Sequence, residues 1–109
     1  MVTHSQINSM NELITRYGIE ILYFSTESCS VCKVLKPKIK EIVNKYYNID
    51  FVYINTELHL ETSANYSVFA VPTIILTIDG KEYQRFNRHM SLATFSETID
   101  RYFNLYTNK

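Results

Sequence analysis

The stretch FSTESCSVCK, residues 24–33, holds both cysteines of this 109-residue chain, with two residues between them. It overlaps the end of IEILYFS (19–25), a continuous apolar run typical of a strand that is buried on both faces. Beyond it, apolar residues recur at helical spacing, which predicts a long helix that begins at or just before Cys29 and is interrupted at Pro37. The cysteines are therefore expected where a buried strand passes into a helix.

The remaining segments predict further strands and helices. IDFVYIN (49–55) has the composition of a second buried strand, and Asp79-Gly80 is a strong hairpin signal between two more. Ser91 is suited to cap a final amphipathic helix. The expected elements are a short first helix within 9–18, strands at 19–25, 49–55, 72–79 and 81–87, and helices following Cys29, within 56–68 and from Ser91 onward.

This order of elements predicts an α/β fold. A helix between the first two strands implies that they are parallel, through a right-handed crossover, and the hairpin adds an antiparallel pair. The expected architecture is a mixed four-stranded sheet with helices on both faces, and VTH (2–4) would add a fifth strand at one edge. The length and the absence of a linker predict a single domain over residues 1–109.

The composition bears on partners and location. With 11 basic and 11 acidic residues the formal charge is zero, so neither nucleic acid nor an anionic membrane is an expected partner. The first residues lack a signal-peptide pattern, and no run approaches the ~18–20 apolar residues of a membrane span. We expect a cytoplasmic protein, and a monomer. A group of lysines after the cysteines is interpreted as a solvated helix face: Lys33, Lys36, Lys38, Lys40 and Lys45.

The two cysteines admit three interpretations: half of a metal site, inert core residues, or a working dithiol. Zinc and iron–sulfur sites normally need four ligands, whereas the chain offers two cysteines and three histidines without ligand spacing. An inert core pair fits poorly with the start of a helix, where free backbone N–H groups stabilise a thiolate. In a reducing cytosol a transient catalytic disulfide is more usual than a lasting structural one.

The dithiol interpretation assigns a role to each sulfur. Cys29 and Cys32 are three residues apart and share one helix face, so they can close a disulfide with little backbone movement. Cys29 is expected to attack a client disulfide, and Cys32 to resolve the mixed intermediate. No metal and no cofactor beyond the redox-active Cys29–Cys32 disulfide is expected.

These segments together resemble the thioredoxin family over almost the whole chain, from about Ile19 to the last helix. Residues 24–33 match its strand, C-x-x-C and helix, and Pro37 matches the proline that kinks the active-site helix. ETSANYSVFAVPT (61–73) is similar to the helix leading to Val-Pro-Thr, and Gly80 matches the hairpin glycine. The resemblance implies a thioredoxin fold and thiol–disulfide oxidoreductase activity on protein disulfides.

The resemblance also implies a substrate groove beside the dithiol. Pro72 would be cis and lie against the dithiol, and the backbone of Val71 would pair with the substrate as an added strand. The implied partners are disulfide-containing client proteins and an electron donor, either a thioredoxin-reductase-type enzyme or a low-molecular-weight thiol. The expected groove residues are Ser30, Val31, Val71, Pro72, Arg88 and His89.

The chain departs from the family pattern at three places. The family's Trp-Cys-Gly-Pro-Cys is SCSVC at 28–32, and the chain has no tryptophan. Tyr23 and Tyr53 occupy the positions of a buried acid and its facing lysine, which removes the family's proton acceptor for the buried cysteine. Arg88, followed by His89, stands in place of a groove glycine, and the added positive charge predicts a preference for acidic peptide disulfides.

A second hypothesis belongs to another class of protein. The chain would be a thioredoxin-fold module that docks a partner protein, with a dithiol that is vestigial or serves only as a redox sensor. The missing buried acid and the missing tryptophan favour this hypothesis. Retention of both thiols, of Pro37 and of Val71-Pro72 favours the enzyme, which is the preferred hypothesis.

Overall fold

The structure is a computed structural model that describes residue 14 and residues 17–108. Within these residues the chain forms four strands and three helices, which alternate except that the last two strands follow one another directly. The predicted edge strand at 2–4 lies outside the described residues, as does most of the predicted helix within 9–18. The elements are β1 (Ile19–Ser25), α1 (Ser30–Val43), β2 (Ile49–Asn55), α2 (Leu60–Asn65), β3 (Thr73–Ile78), β4 (Lys81–Phe86) and α3 (Leu92–Thr107).

The four strands form one mixed sheet in the order β2-β1-β3-β4. β1 is parallel to β2 and antiparallel to β3, and β3 is antiparallel to β4. All seven residues of β1 are buried, as its continuous apolar sequence predicts for a strand covered on both faces. The predicted α/β fold with a mixed four-stranded sheet is therefore confirmed.

Alternate residues of β1 contribute to two separate cores, because successive side chains of a strand point to opposite faces. Ile19, Ile21 and Tyr23 pack on one face with residues of α1 and α3: Ile39, Val43, Phe95 and Ile99. Leu22 and Phe24 pack on the other face with Ile14, Val52, Ile54, Val68 and Ile75. Since burying a large apolar side chain contributes about 1.5–3 kcal/mol, β1 is held firmly from both sides. The strand that delivers the cysteines thus has a fixed position.

The β3–β4 turn shows why Asp79-Gly80 was a reliable hairpin signal. Both residues have positive φ, 50° at Asp79 and 85° at Gly80. Positive φ at both central positions defines the primed turn whose twist matches that of the flanking strands. Asp79 also accepts a 2.8 Å hydrogen bond from the backbone N–H of Gly18 at its Oδ1, which ties the turn to the start of β1.

Helix α1 differs from the sequence prediction in two respects. It runs continuously through Pro37 and ends at Val43, so the expected interruption at the proline does not occur. Cys32 and Ile39, on either side of Pro37, are both buried in the same core, and this packing holds the two halves in one helix. Val34, whose spacing suggested an inward position, is 61% exposed.

Helix α3 begins as predicted. The side chain of Ser91 caps it by accepting a 3.1 Å hydrogen bond from the N–H of Thr94, and Phe95 and Ile99 are fully buried beneath it. At 16 residues α3 places a long apolar stripe on the sheet. Within the described part of the chain, no helix combines the length and the apolar character needed to cross a membrane.

Candidate active site

Cys29 lies at the junction between β1 and α1, as the sequence predicted. Its backbone is extended, with φ −85° and ψ 102°, and it forms the N-cap of a helix that begins at Ser30. The Sγ of Cys29 accepts a 3.2 Å hydrogen bond from the backbone N–H of Cys32. The first N–H groups of a helix have no partner inside the helix and carry the positive end of its dipole. This position therefore stabilises negative charge on the Cys29 sulfur.

Cys29 and Cys32 form a disulfide, with their Cα atoms 5.2 Å apart. This separation lies well inside the normal range for disulfides. The two sulfurs differ in their surroundings, because Cys29 is only partly buried whereas Cys32 is 1% exposed. A group approaching from solvent can therefore reach Cys29 and not Cys32.

Tyr23 lies beneath the disulfide, where the resemblance placed a missing acid. Its side chain is fully buried, and its hydroxyl donates a 2.7 Å hydrogen bond to the carbonyl oxygen of Cys32. Burial, and secondarily the neighbouring Tyr53, raises the pKa of Tyr23 to about 12. The phenol of Tyr23 therefore stays neutral until the pH approaches about 12. In this neutral form it holds the first turn of α1 in place and supplies no base for the Cys32 thiol.

Tyr53 completes an aromatic pair with Tyr23. The two residues are directly opposite in the parallel register of β1 and β2, and their rings stack with centroids 6.2 Å apart. The ammonium of Lys36 lies 4.0 Å from the centre of the Tyr53 ring, within cation–π distance. The positions of a buried acid and its facing lysine are thus filled by an aromatic pair with a cation above it.

Four of the five lysines that follow the cysteines are exposed, as predicted for a solvated face, and Lys36 is the exception. Lys36 is half-buried over Tyr53, and Lys40 lies 5.7 Å from the centre of the Phe51 ring. Lys38 is exposed and lines a groove beside the disulfide. The helical spacing of these lysines fits a solvated face, and an aromatic side chain of β2 covers part of only one of them, Lys36.

The Val71–Pro72 peptide bond is cis, as the resemblance implied. Pro72 is buried and Val71 is partly buried, immediately before β3. The hydroxyl of Thr73 donates a 2.6 Å hydrogen bond to the carbonyl of Ala70, which closes a short turn around the pair. This segment therefore has a fixed conformation next to the sheet.

Arg85 anchors the segment that leads to Val71, a role that the sequence analysis missed. Its guanidinium donates hydrogen bonds to the carbonyl oxygens of Tyr66, at 2.6 Å, and Ser67, at 3.1 Å. It also pairs with both carboxylate oxygens of Glu82 on the same strand, and this contact lowers the pKa of Glu82. Arg85 lies in the predicted strand β4, but the sequence contains no signal for its carbonyl partners.

The predicted groove residues fall into separate places. Ser30, Val31 and Arg88 line one groove of about 570 Å³, together with residues of α1 and of the connection before α3. Val71 lines a second groove of about 340 Å³ that includes residues of α2. His89 is exposed and lines neither, and its backbone N–H bonds to the Asn87 side chain at 2.8 Å. The structure therefore brings Arg88, and not His89, together with the residues between the cysteines.

The first groove also includes side chains that the sequence did not single out: Val34, Leu35, Lys38, Met90 and Leu92. They come from two elements that are more than 50 residues apart in the chain, so no local pattern links them. The apolar residues among them have the same helical spacing as residues of the core, so this spacing does not distinguish a groove residue from a core residue. In the described part of the chain, no group of three or more His, Cys, Asp or Glu side chains is placed to hold a metal ion.

Comparison with known proteins agrees with this geometry. The thioredoxin family model matches residues 1–101. The thioredoxin-like protein YdfQ of Bacillus subtilis is 29% identical over 103 residues, which cover 94% of this chain and 91% of the relative. Thioredoxin 1 of Thermosipho africanus is 37% identical, and its structure covers 83% of this chain and 99% of its own, with a TM-score of 0.75. The thioredoxin of Fasciola hepatica is 25% identical, covering 90% of this chain and 92% of its own, with a TM-score of 0.72.

The family model spans most of the chain. The structure agrees with this match through the order of its strands and the disulfide-bonded cysteines at the start of a helix. The Cys29–Cys32 pair is part of the protein itself, and in this family it needs no added cofactor. Its position is consistent with thiol–disulfide oxidoreduction. This chain belongs to the thioredoxin family.

Proposed function

We propose that this protein reduces the disulfides of client proteins, with Cys29 as the attacking thiol and Cys32 as the resolving thiol. The observation that carries the proposal is the asymmetry of the pair. Cys29 is partly exposed at the N-cap of α1 with an N–H donor on its sulfur, whereas Cys32 is buried behind it. A nucleophilic thiolate needs both stabilisation and access, and only Cys29 has both.

The reaction proceeds in two exchange steps. The Cys29 thiolate attacks one sulfur of the client disulfide, so that a Cys29–client bond forms, the client S–S bond breaks and one client thiolate leaves. Cys32, whose proton passes to the client thiolate released in the first step, then attacks the Cys29 sulfur, forms the Cys29–Cys32 disulfide and releases the second client thiolate. Two electrons pass from the protein to the client, and the second client thiolate takes up a proton from water.

A second reductant must restore the dithiol. We propose a thioredoxin-reductase-type enzyme or a low-molecular-weight thiol for this role, since either supplies two electrons by the same exchange chemistry. The reduced state is the one that a cytoplasmic setting would maintain, and the whole chain would act there as one domain and as a monomer.

The client would bind beside the dithiol. The backbone of Val71, which precedes the cis Pro72, would pair with an extended client segment as an added strand. Ser30 and Val31 would contact the client between the two cysteines, and Arg88 would border it on the β4–α3 side. The anchoring of the preceding loop by Arg85 supports this proposal, because a fixed strand template costs less ordering on binding.

A second candidate function is a thioredoxin-fold module that docks a partner protein or senses redox state without turnover. Tyr23 favours it, because a neutral phenol replaces the proton acceptor expected beneath Cys32. On this hypothesis the Cys32 thiol would lose its proton slowly, and the second exchange step would fail.

Reduction of insulin by dithiothreitol, followed as turbidity, separates the two functions. We expect the wild-type protein to accelerate precipitation well above the rate without protein, and Cys29→Ser to abolish the acceleration. A wild-type rate equal to that of dithiothreitol alone would establish the binding module instead.

A further inference from the structure

The groove of about 570 Å³ beside the disulfide combines an apolar surface with two cations. Its apolar part includes Val31 and Val34 from α1, Met90 from the connection before α3, and Leu92, the first residue of α3. Val31 is 39% exposed and Val34 61%, so both keep apolar surface that a ligand can cover. The volume falls in the range of specific binding clefts, about 300–1,000 Å³.

The charges in this groove are all positive. Lys38 and Arg88 line it, and none of its described lining residues is acidic. Both cations are exposed, and neither forms a salt bridge with any residue in the described part of the chain. Since the whole protein has no net charge, the groove is a local positive field on a neutral molecule.

The position of the groove connects it with the chemistry. Ser30 and Val31, the two residues between the cysteines, form part of its wall. A polypeptide joined to Cys29 through a mixed disulfide is attached at the residue next to this wall. A side chain a few residues from the client cysteine can enter the groove.

We propose that this groove selects client segments in which an aspartate or glutamate accompanies an apolar side chain near the disulfide. The apolar side chain covers Val31 and Val34, and the carboxylate pairs with Lys38 and Arg88. This inference rests on the proposed disulfide reductase activity and names the class of client for it. From the sequence, Arg88 and His89 together predicted a positive groove, whereas the structure adds Lys38 and the apolar surface and leaves His89 out.

Two peptide disulfides that differ only in carrying two glutamates or two lysines beside a leucine test the selection. We expect the wild-type kcat/KM to favour the acidic peptide, and each of Lys38→Gln and Arg88→Gln to reduce the acidic-to-basic ratio by about two- to fivefold. Added salt should reduce the wild-type ratio, because exposed charges are screened beyond about 8–10 Å. Lys45→Gln removes the same charge from an exposed position outside the groove and should leave the ratio unchanged.

The outcomes separate this inference from the proposed activity. If neither peptide is reduced by the wild-type protein, the reductase activity is wrong. If both are reduced at a ratio that neither groove variant changes, or that Lys45→Gln changes equally, the selection is wrong and the activity stands. Binding of the acidic peptide with its cysteines replaced by serine, followed through the Met90 and Leu92 methyl resonances, tests docking without turnover. The inference would be overturned if the peptide causes no methyl shifts in the wild-type protein. It would also be overturned if the shifts in the double variant Lys38→Gln/Arg88→Gln are as large as those in the wild type.

Discussion

The hydroxyl of Tyr23 on β1 donates a 2.7 Å hydrogen bond to the carbonyl oxygen of Cys32 in the first turn of α1. The bond joins the central strand of the sheet to the turn that carries both sulfurs. It is fully buried, where a hydrogen bond is stronger and its loss more costly than at the surface. The site is therefore held from below by a neutral side chain.

Tyr23→Phe should lower the free energy of unfolding of the oxidised protein by about 1 kcal/mol, because it removes this hydrogen bond and keeps the ring. Urea denaturation followed by far-UV circular dichroism measures the difference. Tyr47→Phe is the matched control, since the Tyr47 side chain is 88% exposed and its hydroxyl makes no hydrogen bond within the described residues. Equal destabilisation by the two substitutions would contradict the role assigned to the buried bond.

Burial of the Tyr23 hydroxyl should make stability depend on pH in the alkaline range. Burial raises the pKa of Tyr23 from its ordinary value of 10.0 to about 12, so the folded state favours the neutral phenol. The resulting stabilisation is complete below pH about 10 and is lost as the pH rises through about 12. The advantage of the wild type over Tyr23→Phe should stay constant from neutral pH to about 9 and shrink above 10. Urea unfolding across this range tests it, and an advantage that stays unchanged up to pH 11.5 would count against it.

Some features of this structure are predictable from the sequence, and others are not. β1 and β2 were predicted with their observed bounds. The prediction of a buried strand holds for the whole of β1, whereas β2, at the edge of the sheet, exposes Asp50 and only partly buries Phe51 and Tyr53. Cys29 was placed at the start of α1, since the strand ends and the helix period begins within a few residues. Local patterns were sufficient for these features.

The contacts between distant segments were not predictable in this way. Long side chains such as Lys36 and Lys38 lie on the same helix, yet one covers an aromatic ring and the other lines a groove. Which of these occurs depends on the side chains of β2 and of the connection before α3. The replacement of the acid by Tyr23 was visible from the resemblance, but its hydrogen bond to Cys32 required the relative position of strand and helix.

Arg85→Lys should lower the free energy of unfolding by about 1 kcal/mol, although it keeps the charge. The planar guanidinium bonds two carbonyl oxygens and the Glu82 carboxylate at once, and an ammonium cannot reproduce this fork. Arg101→Lys, on the exposed face of α3, is the control for a conservative exchange. Loss of stability no larger than that of the control would show that the carbonyl bonds contribute little.

The roles of the two cysteines predict their order of alkylation. In the reduced protein at neutral pH, iodoacetamide should modify Cys29 well before Cys32, because Cys32 is 1% exposed and only Cys29 occupies the helix N-cap. Cys32→Ser should accumulate mixed disulfides with client proteins, since the resolving attack is lost, and Cys29→Ser should not. Peptide mass analysis of both experiments identifies the modified residue. Faster labelling of Cys32 would reverse the assignment.

The last prediction concerns the reduction potential of the pair, which we expect to be somewhat less reducing than that of thioredoxin. The N–H of Cys32 donates to the Cys29 sulfur, and Tyr23 places no negative charge beneath the site, so the reduced thiolate form is stabilised. Ser30-Val31 also lacks the proline that restricts the loop in the family motif.

Val31 acts in the opposite direction, since apolar bulk beside the sulfur disfavours the thiolate, but its side chain is 39% exposed and excludes water only in part. We therefore expect a potential between about −270 mV, the value of thioredoxin, and about −180 mV, that of protein disulfide isomerase, and nearer the former. One hydrogen bond to a charged sulfur can account for such a shift of the reduction potential, because about 30 mV corresponds to 1.4 kcal/mol for a two-electron couple. Equilibration with glutathione buffers, alkylation and mass measurement gives the value without tryptophan fluorescence, which this chain lacks.

Val31→Pro, allowed in the first turn of a helix, should lower the potential towards that of thioredoxin. A wild-type potential at or below about −270 mV would mean that the stabilisation of the Cys29 thiolate argued here is absent.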